Sequence, residues 1–196
     1  MTAQSGGLVS ARLLAATILV LSGCVEADES PQGTLSAAVT DPAGDGGTAD
    51  VVSATLDIAE GHMLVRVVLT PASFQADSML LVFNLDTDEN PATGYTSANP
   101  GHVGFGIDCM IQLGKYASDT RAARVSRWDN GGFIASANAT LTVITNGYEA
   151  TLPASACDDD GPALLKVDAF RQLSAQTWST RQDWAPDPGL PPARLQ

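Results

Sequence analysis

Residues 34 to 185 predict an all-β domain, an antiparallel β-sandwich of jelly-roll or immunoglobulin-like type with about ten strands and at most one short helix. Three observations carry this reading. Apolar and polar residues alternate with period two in one short run after another. Clusters of Gly, Asn, Asp and Pro separate the runs, and no amphipathic helical pattern exceeds two turns. So many short strands in one domain fold as two stacked sheets, because a single open sheet would leave a hydrophobic face bare.

In chain order, Leu35–Thr40 and Val51–Ile58 read as the first two strands. Val65, Val67 and Leu69 alternate with Arg66 and Val68, and Leu81, Phe83 and Leu85 with Val82 and Asn84. Phe105, Ile107, Cys109, Ile111 and Leu113 alternate with Gly106, Asp108, Met110 and Gln112, a single strand from 105 to 113. Each of these is expected to bury one face. Shorter runs at Ala123–Trp128, Phe133–Ala137, Leu141–Thr145, Tyr148–Leu152, Leu164–Phe170 and Thr177–Thr180 complete the set, with one helical turn at Pro153–Cys157. Four prolines between Pro186 and Pro192 cannot continue a sheet, so residues 186–196 are expected to be a Pro-rich tail outside the domain.

The N-terminus is of another kind. Arg12 precedes a nine-residue run, Leu13–Leu21, apolar but for Thr17 and too short to span a bilayer, which takes about 20 residues. The pattern is that of a secretory signal peptide over residues 1–23. Leu21-Ser22-Gly23-Cys24 resembles the lipobox of bacterial lipoproteins, which implies export, diacylglycerol on the Cys24 thiol and anchoring to the bacterial membrane on its extracytoplasmic side. Residues 25–33 (VEADESPQG) suit a flexible tether between the lipidated Cys24 and the domain. Removal of residues 1–23, which hold Arg12 and no acid, takes 196 residues to 173 and the formal charge from −12 to −13. That balance argues against a nucleic-acid partner and leaves only the lipid to hold the chain to anionic headgroups.

With Cys24 acylated, Cys109 and Cys157 remain. In an oxidising compartment two thiols in one small domain pair as a disulfide; the alternative is two separate buried thiols. No Gly-rich phosphate loop is present, so no nucleotide cofactor is expected. No acid is flanked by a recognisable base or nucleophile, and the chain reads as non-catalytic.

Asp41-Pro42-Ala43-Gly44-Asp45, Ala49-Asp50-Val51-Val52, Leu85-Asp86-Thr87-Asp88-Glu89-Asn90 and Thr93-Gly94 occur in this order. They are followed by Gly104–Asp108, Trp128 ahead of Gly131-Gly132, Leu152-Pro153 and Asp183-Trp184-Ala185-Pro186. This series resembles the extracellular β-sandwiches related to family 9 carbohydrate-binding modules and DOMON domains. The resemblance spans residues 41 to 186 and implies a binding module for sugar, haem or calcium. Sugar-binding relatives present paired Trp platforms, and none of Trp128, Trp178 and Trp184 has an evident partner in the sequence.

Three candidate sites follow. Asp86, Asp88 and Asn90 place oxygens at alternate positions, as the first half of a calcium loop does, and Asp108 is the first choice for a further ligand from another strand. An EF-hand is excluded, because no Gly stands at loop position 6 and no Glu at position 12; the alternative is a solvated turn whose Asp and Asn bond their own backbone. Trp128, Trp178, Trp184 and Tyr95 are candidates for stacking on a sugar ring or for ordinary packing. His62, His102, Met63, Met79 and Met110 are the available axial ligands under the haem reading, and no spacing selects a pair. The function expected is a membrane-anchored binding module for carbohydrate or another envelope ligand, with a structural or protein-interaction lipoprotein of the envelope and a haem-binding electron-transfer domain as the alternatives.

Overall fold

The computed structural model describes residues 34–115, 121–157, 161–174, 177–178 and 183–196, all within one unit, Gln32–Gln196. Cys24, the signal peptide, the tether, Asp158–Asp160 and the second half of the strand expected at Thr177–Thr180 lie outside the described residues. The strands are β1 (Leu35–Thr40), β2 (Val51–Ala59), β3 (His62–Leu69), β4 (Met79–Asp86), β5 (Tyr95–Thr96), β6 (Gly106–Ile107), β7 (Cys109–Lys115) and β8 (Arg121–Asp129). They continue as β9 (Gly132–Ala139), β10 (Thr142–Ile144), β11 (Gly147–Pro153), β12 (Ala163–Ser174), β13 (Thr177–Trp178), β14 (Asp183–Ala185) and β15 (Ala193–Leu195). Two 3-10 turns, Pro100–His102 and Ala154–Cys157, are the only helical pieces among the described residues.

One sheet runs β1-β2-β3-β11-β10 and the other β13-β12-β4-β7-β8-β9, with β14 and β15 also pairing β12. All pairings are antiparallel. The alternation read from the sequence points Met63, Val65, Val67 and Leu69 of one sheet and Phe83, Ile111 and Val125 of the other into a shared core. Glu60 and Gly61, with φ of 51° and 74°, close β2–β3 as a two-residue turn whose left-handed backbone matches strand twist. Asn130 and Gly131, at 47° and 90°, do the same for β8–β9. Cys109 and Cys157 form the disulfide, with Cα atoms 5.5 Å apart, joining β7 to the second 3-10 turn.

Three expectations are corrected. The run from Phe105 to Leu113 is two strands: β6 leaves the large sheet to pair with β5, and the break falls at Asp108, whose N–H donates to the Leu85 carbonyl. Strand β4 buries both faces, since Leu80, Val82, Asn84 and Asp86 are as covered as their inward neighbours. Its outer face lies under the segment around Pro100–Phe105, where buried His102 and Asn84 both meet Asp168 of β12, at 3.2 and 2.9 Å. Lys166 donates to the Gly101 carbonyl at 2.6 Å, and burial pulls its pKa down against the opposing pull of Asp168. Finally, residues 186–196 are no detached tail. The prolines stop at Pro192, so Ala193–Leu195 has free N–H groups and pairs with Ala163–Leu165 of β12. Leu195 is buried in the core, and Gln196 exchanges two backbone hydrogen bonds with Ser36 of β1.

Candidate functional site

Asp86 ends β4, and the chain then turns through Asp88 and Asn90 before Gly94 and β5 bring it back beside Asp108. Carboxylate oxygens of Asp86, Asp88 and Asp108 lie within 4.8 Å of one another. Asp86 is fully buried, Asp108 partly so, and Asp88 is exposed.

The loop is held by its own acids. The Asn90 N–H donates to Asp86 Oδ1 at 3.0 Å and Asp88 Oδ1 at 2.9 Å, and the Gly106 N–H reaches Asp86 Oδ2 at 3.4 Å. Thr93 donates its hydroxyl to Asp88, and the Thr87 N–H donates to Asp108 Oδ2 at 3.0 Å. Asn90 enters through its backbone; its side-chain oxygen accepts from the Ala92 N–H at 3.1 Å. Burial raises the Asp86 pKa, opposed by the Gly106 and Asn90 N–H groups and reinforced by Asp108 and Asp88. Asp108 is likewise raised by burial first, against the Thr87 N–H, with the Asp88 charge adding to the rise. Arg194 of β15 pairs with Glu89 at 2.9 Å and ties the loop to β15.

An aromatic cluster adjoins this loop. Tyr95, 41% exposed, packs on Trp128 at 5.3 Å and Phe133 at 5.7 Å between ring centroids, and Trp128 meets Phe133 at 5.1 Å. Backbone links it to the acids: the Trp128 N–H donates to the Asp108 carbonyl at 2.7 Å, and Tyr95 pairs with Ile107. Gly94, at φ 67°, passes so close to Asp108 Oδ1 and the Ile107 carbonyl that a Cβ there would overlap both.

Comparisons with protein-family models, curated proteins and solved structures give no match.

The structure therefore brings Tyr95 and Trp128 together and supplies Phe133, which sequence reasoning missed although it stands directly across the Asn130-Gly131 hairpin from Trp128. The backbone of Trp178 pairs with Gln172 in the large sheet, and its side chain lies outside the described residues. Trp184 packs instead on Gly101, where a Cβ would overlap its ring. The residues of the haem reading are dispersed. His62 starts β3, exposed, with Nδ1 on the Glu60 carbonyl; His102 is buried against Asp168; Met63 and Met79 are sealed in the core and Met110 is half-buried.

Proposed function

We propose that the protein is an extracytoplasmic lipoprotein, anchored through Cys24, whose sandwich is a non-catalytic binding module for carbohydrate or another envelope ligand held on Tyr95, Trp128 and Phe133. One observation carries this reading: three rings in mutual contact, with Tyr95 41% exposed. Faces of such rings suit the CH groups of a sugar, and a rigid aromatic cluster loses little entropy on binding. In this reading a Ca²⁺ at Asp86, Asp88 and Asp108 fixes the loop next to Tyr95, and the Asn90 N–H orients the carboxylates of Asp86 and Asp88. The resemblance to carbohydrate-binding sandwiches supports the same conclusion.

The full chain in detergent, applied to a glycan array, tests it. The expected result is binding to a restricted set of glycans that Tyr95→Ala and Trp128→Ala each remove without loss of the far-ultraviolet β spectrum; binding unchanged in both variants overturns it. Cys24→Ser should move the protein out of the membrane fraction, and a lipid-free intact mass for the wild type would sink the anchor.

A protein-interaction reading has one observation in its favour. Val103 and Leu190, 76% and 52% exposed, line a pocket of about 560 Å³ together with Phe105 and Lys166. Exposed apolar side chains around a pocket suit a protein partner. An array that binds nothing, with a cross-linked envelope protein mapped to Leu190, would favour it.

A further inference from the structure

A second group of acids gathers where the β1–β2 loop meets β14. Asp41 follows β1, Asp45 lies in the loop, Asp50 precedes β2, and Asp183 and Asp187 come from the far end of the chain. Oxygens of Asp41, Asp45 and Asp187 lie within 4.8 Å of one another, and so do those of Asp45, Asp50 and Asp183, so the two triads share Asp45.

Two of the three buried acids have backbone partners. Asp50 accepts from Gly44 at 2.9 Å and Gly46 at 3.3 Å, which shapes the loop; Asp183 accepts from Val51 at 2.7 Å and Trp184 at 2.9 Å, which joins β14 to β2. Asp41 is different. It is 6% exposed, its carboxylate is directed at Asp45 and Asp187, and neither of its oxygens receives a hydrogen bond. A buried carboxylate with no donor and further acids around it is unfavourable unless a cation meets it. Arg171 lies against this loop, with Nη1 donating to the Thr48 carbonyl at 3.4 Å. Two oxygens on one Ca²⁺ stand at most about 5 Å apart, twice the metal–oxygen distance, so the spacing within each triad fits one ion, and Asp45 belongs to both.

We propose that Asp41, Asp45, Asp50, Asp183 and Asp187 form a binding site for Ca²⁺, separate from the Asp86 loop, that clamps the β1–β2 loop of one sheet to β14 of the other. Calcium is favoured over magnesium because it accepts many protein oxygens in irregular geometry, whereas Mg²⁺ keeps several waters and takes one or two carboxylates. The acids also repel each other's ionised forms: burial first, then the charges of Asp183, Asp187, Asp45 and Asp50, push Asp41 up to about 7, and burial is the main cause that lifts Asp183 to about 6. A divalent ion reverses that repulsion.

The test uses the full chain in detergent, calcium chloride alone as the probe, and an Asp88→Asn background that takes a carboxylate out of the other loop. Expected are one calcium per chain by equilibrium dialysis and a melting temperature that rises by several degrees in millimolar calcium, with magnesium at least tenfold weaker. Adding Asp187→Asn, a partly exposed position whose change leaves the core intact, should weaken calcium binding at least tenfold, and adding Asp41→Asn should abolish it. No calcium binding by the Asp88→Asn chain up to millimolar concentration overturns the site, as does unchanged affinity after Asp187→Asn. Failure of the Asp86 loop alone would read differently: wild type and Asp88→Asn would then bind the same single ion.

Discussion

The two acidic loops differ in how their carboxylates are used. Around Asp86 each acid accepts from the loop's own backbone or a near neighbour, so the charges do the work of a turn. Around Asp41 two buried acids are committed in the same way while the third, Asp41 itself, receives no donor. The sequence signal points the other way, since alternate spacing marks the loop that satisfies itself. Unmet demand, rather than density of acids, separates a loop that lacks donors for its carboxylates from one that a cation would only tighten.

The largest expected effect separates the loops by their attachment. Cys109 is the chain neighbour of Asp108, and its bond to Cys157 closes a 48-residue separation. Reduction should remove about 4 kcal/mol and lower the melting temperature by roughly 10 °C. Amide exchange at Thr87 and Asn90 should accelerate under reducing conditions that leave Gly44 and Val51 protected; equal acceleration in both loops would break the distinction.

Next comes a pair of opposite signs, read in chelator. Asp86→Ala should destabilise by about 2 kcal/mol, because the Asn90 and Gly106 amides lose a buried acceptor. Asp41→Asn should stabilise by about 1 kcal/mol, because an uncharged amide replaces a buried carboxylate without a donor and can itself donate to the acids beside it. Denaturant melts that move both variants in one direction would refute the comparison.

A pH series sharpens it further. Asp41 and Asp183, at about 7 and about 6 in the fold against 3.8 for an ordinary Asp, bind protons more tightly folded than unfolded. Their contribution to stability is therefore complete below about pH 4 and lost as the pH rises through 6 and 7. The chelated chain should melt at progressively lower temperature from about pH 5 to pH 8, with a shallower fall in Asp41→Asn. Asp86 and Asp108 are raised as well, so the variant keeps part of the slope. The smallest effect belongs to Thr93→Ala, which strips an exposed hydroxyl from Asp88 and should cost about 0.5 kcal/mol by thermal melt.

Much of the sandwich was legible because period-two alternation is imposed by burial itself: β1 falls on Leu35–Thr40 as read, and β3 extends the Val65–Leu69 run by one turn-proximal segment. What escaped reading has other causes. Strands β5, β14 and β15 have two or three residues, too few to show a period. Asn84 reads as a solvent-facing polar residue, yet Asp168, distant in sequence, supplies the partner that lets it be buried. The disulfide followed from counting thiols, and the Asp86 loop from spacing along one segment. Asp41 and Asp187 are 146 positions apart, so only the fold brings them together.

The reciprocal bonds between Ser36 and Gln196 carry a consequence for solubility. Strand β1 borders its sheet, and an open border presents unpaired amides on which a second molecule can add a strand. Gln196 occupies part of that border, and β15 occupies a stretch of β12, so the last four residues act as a guard against intermolecular strand addition. A protease that trimmed the chain after Pro192 would bare both borders at once and leave their amides open to a strand from a second molecule.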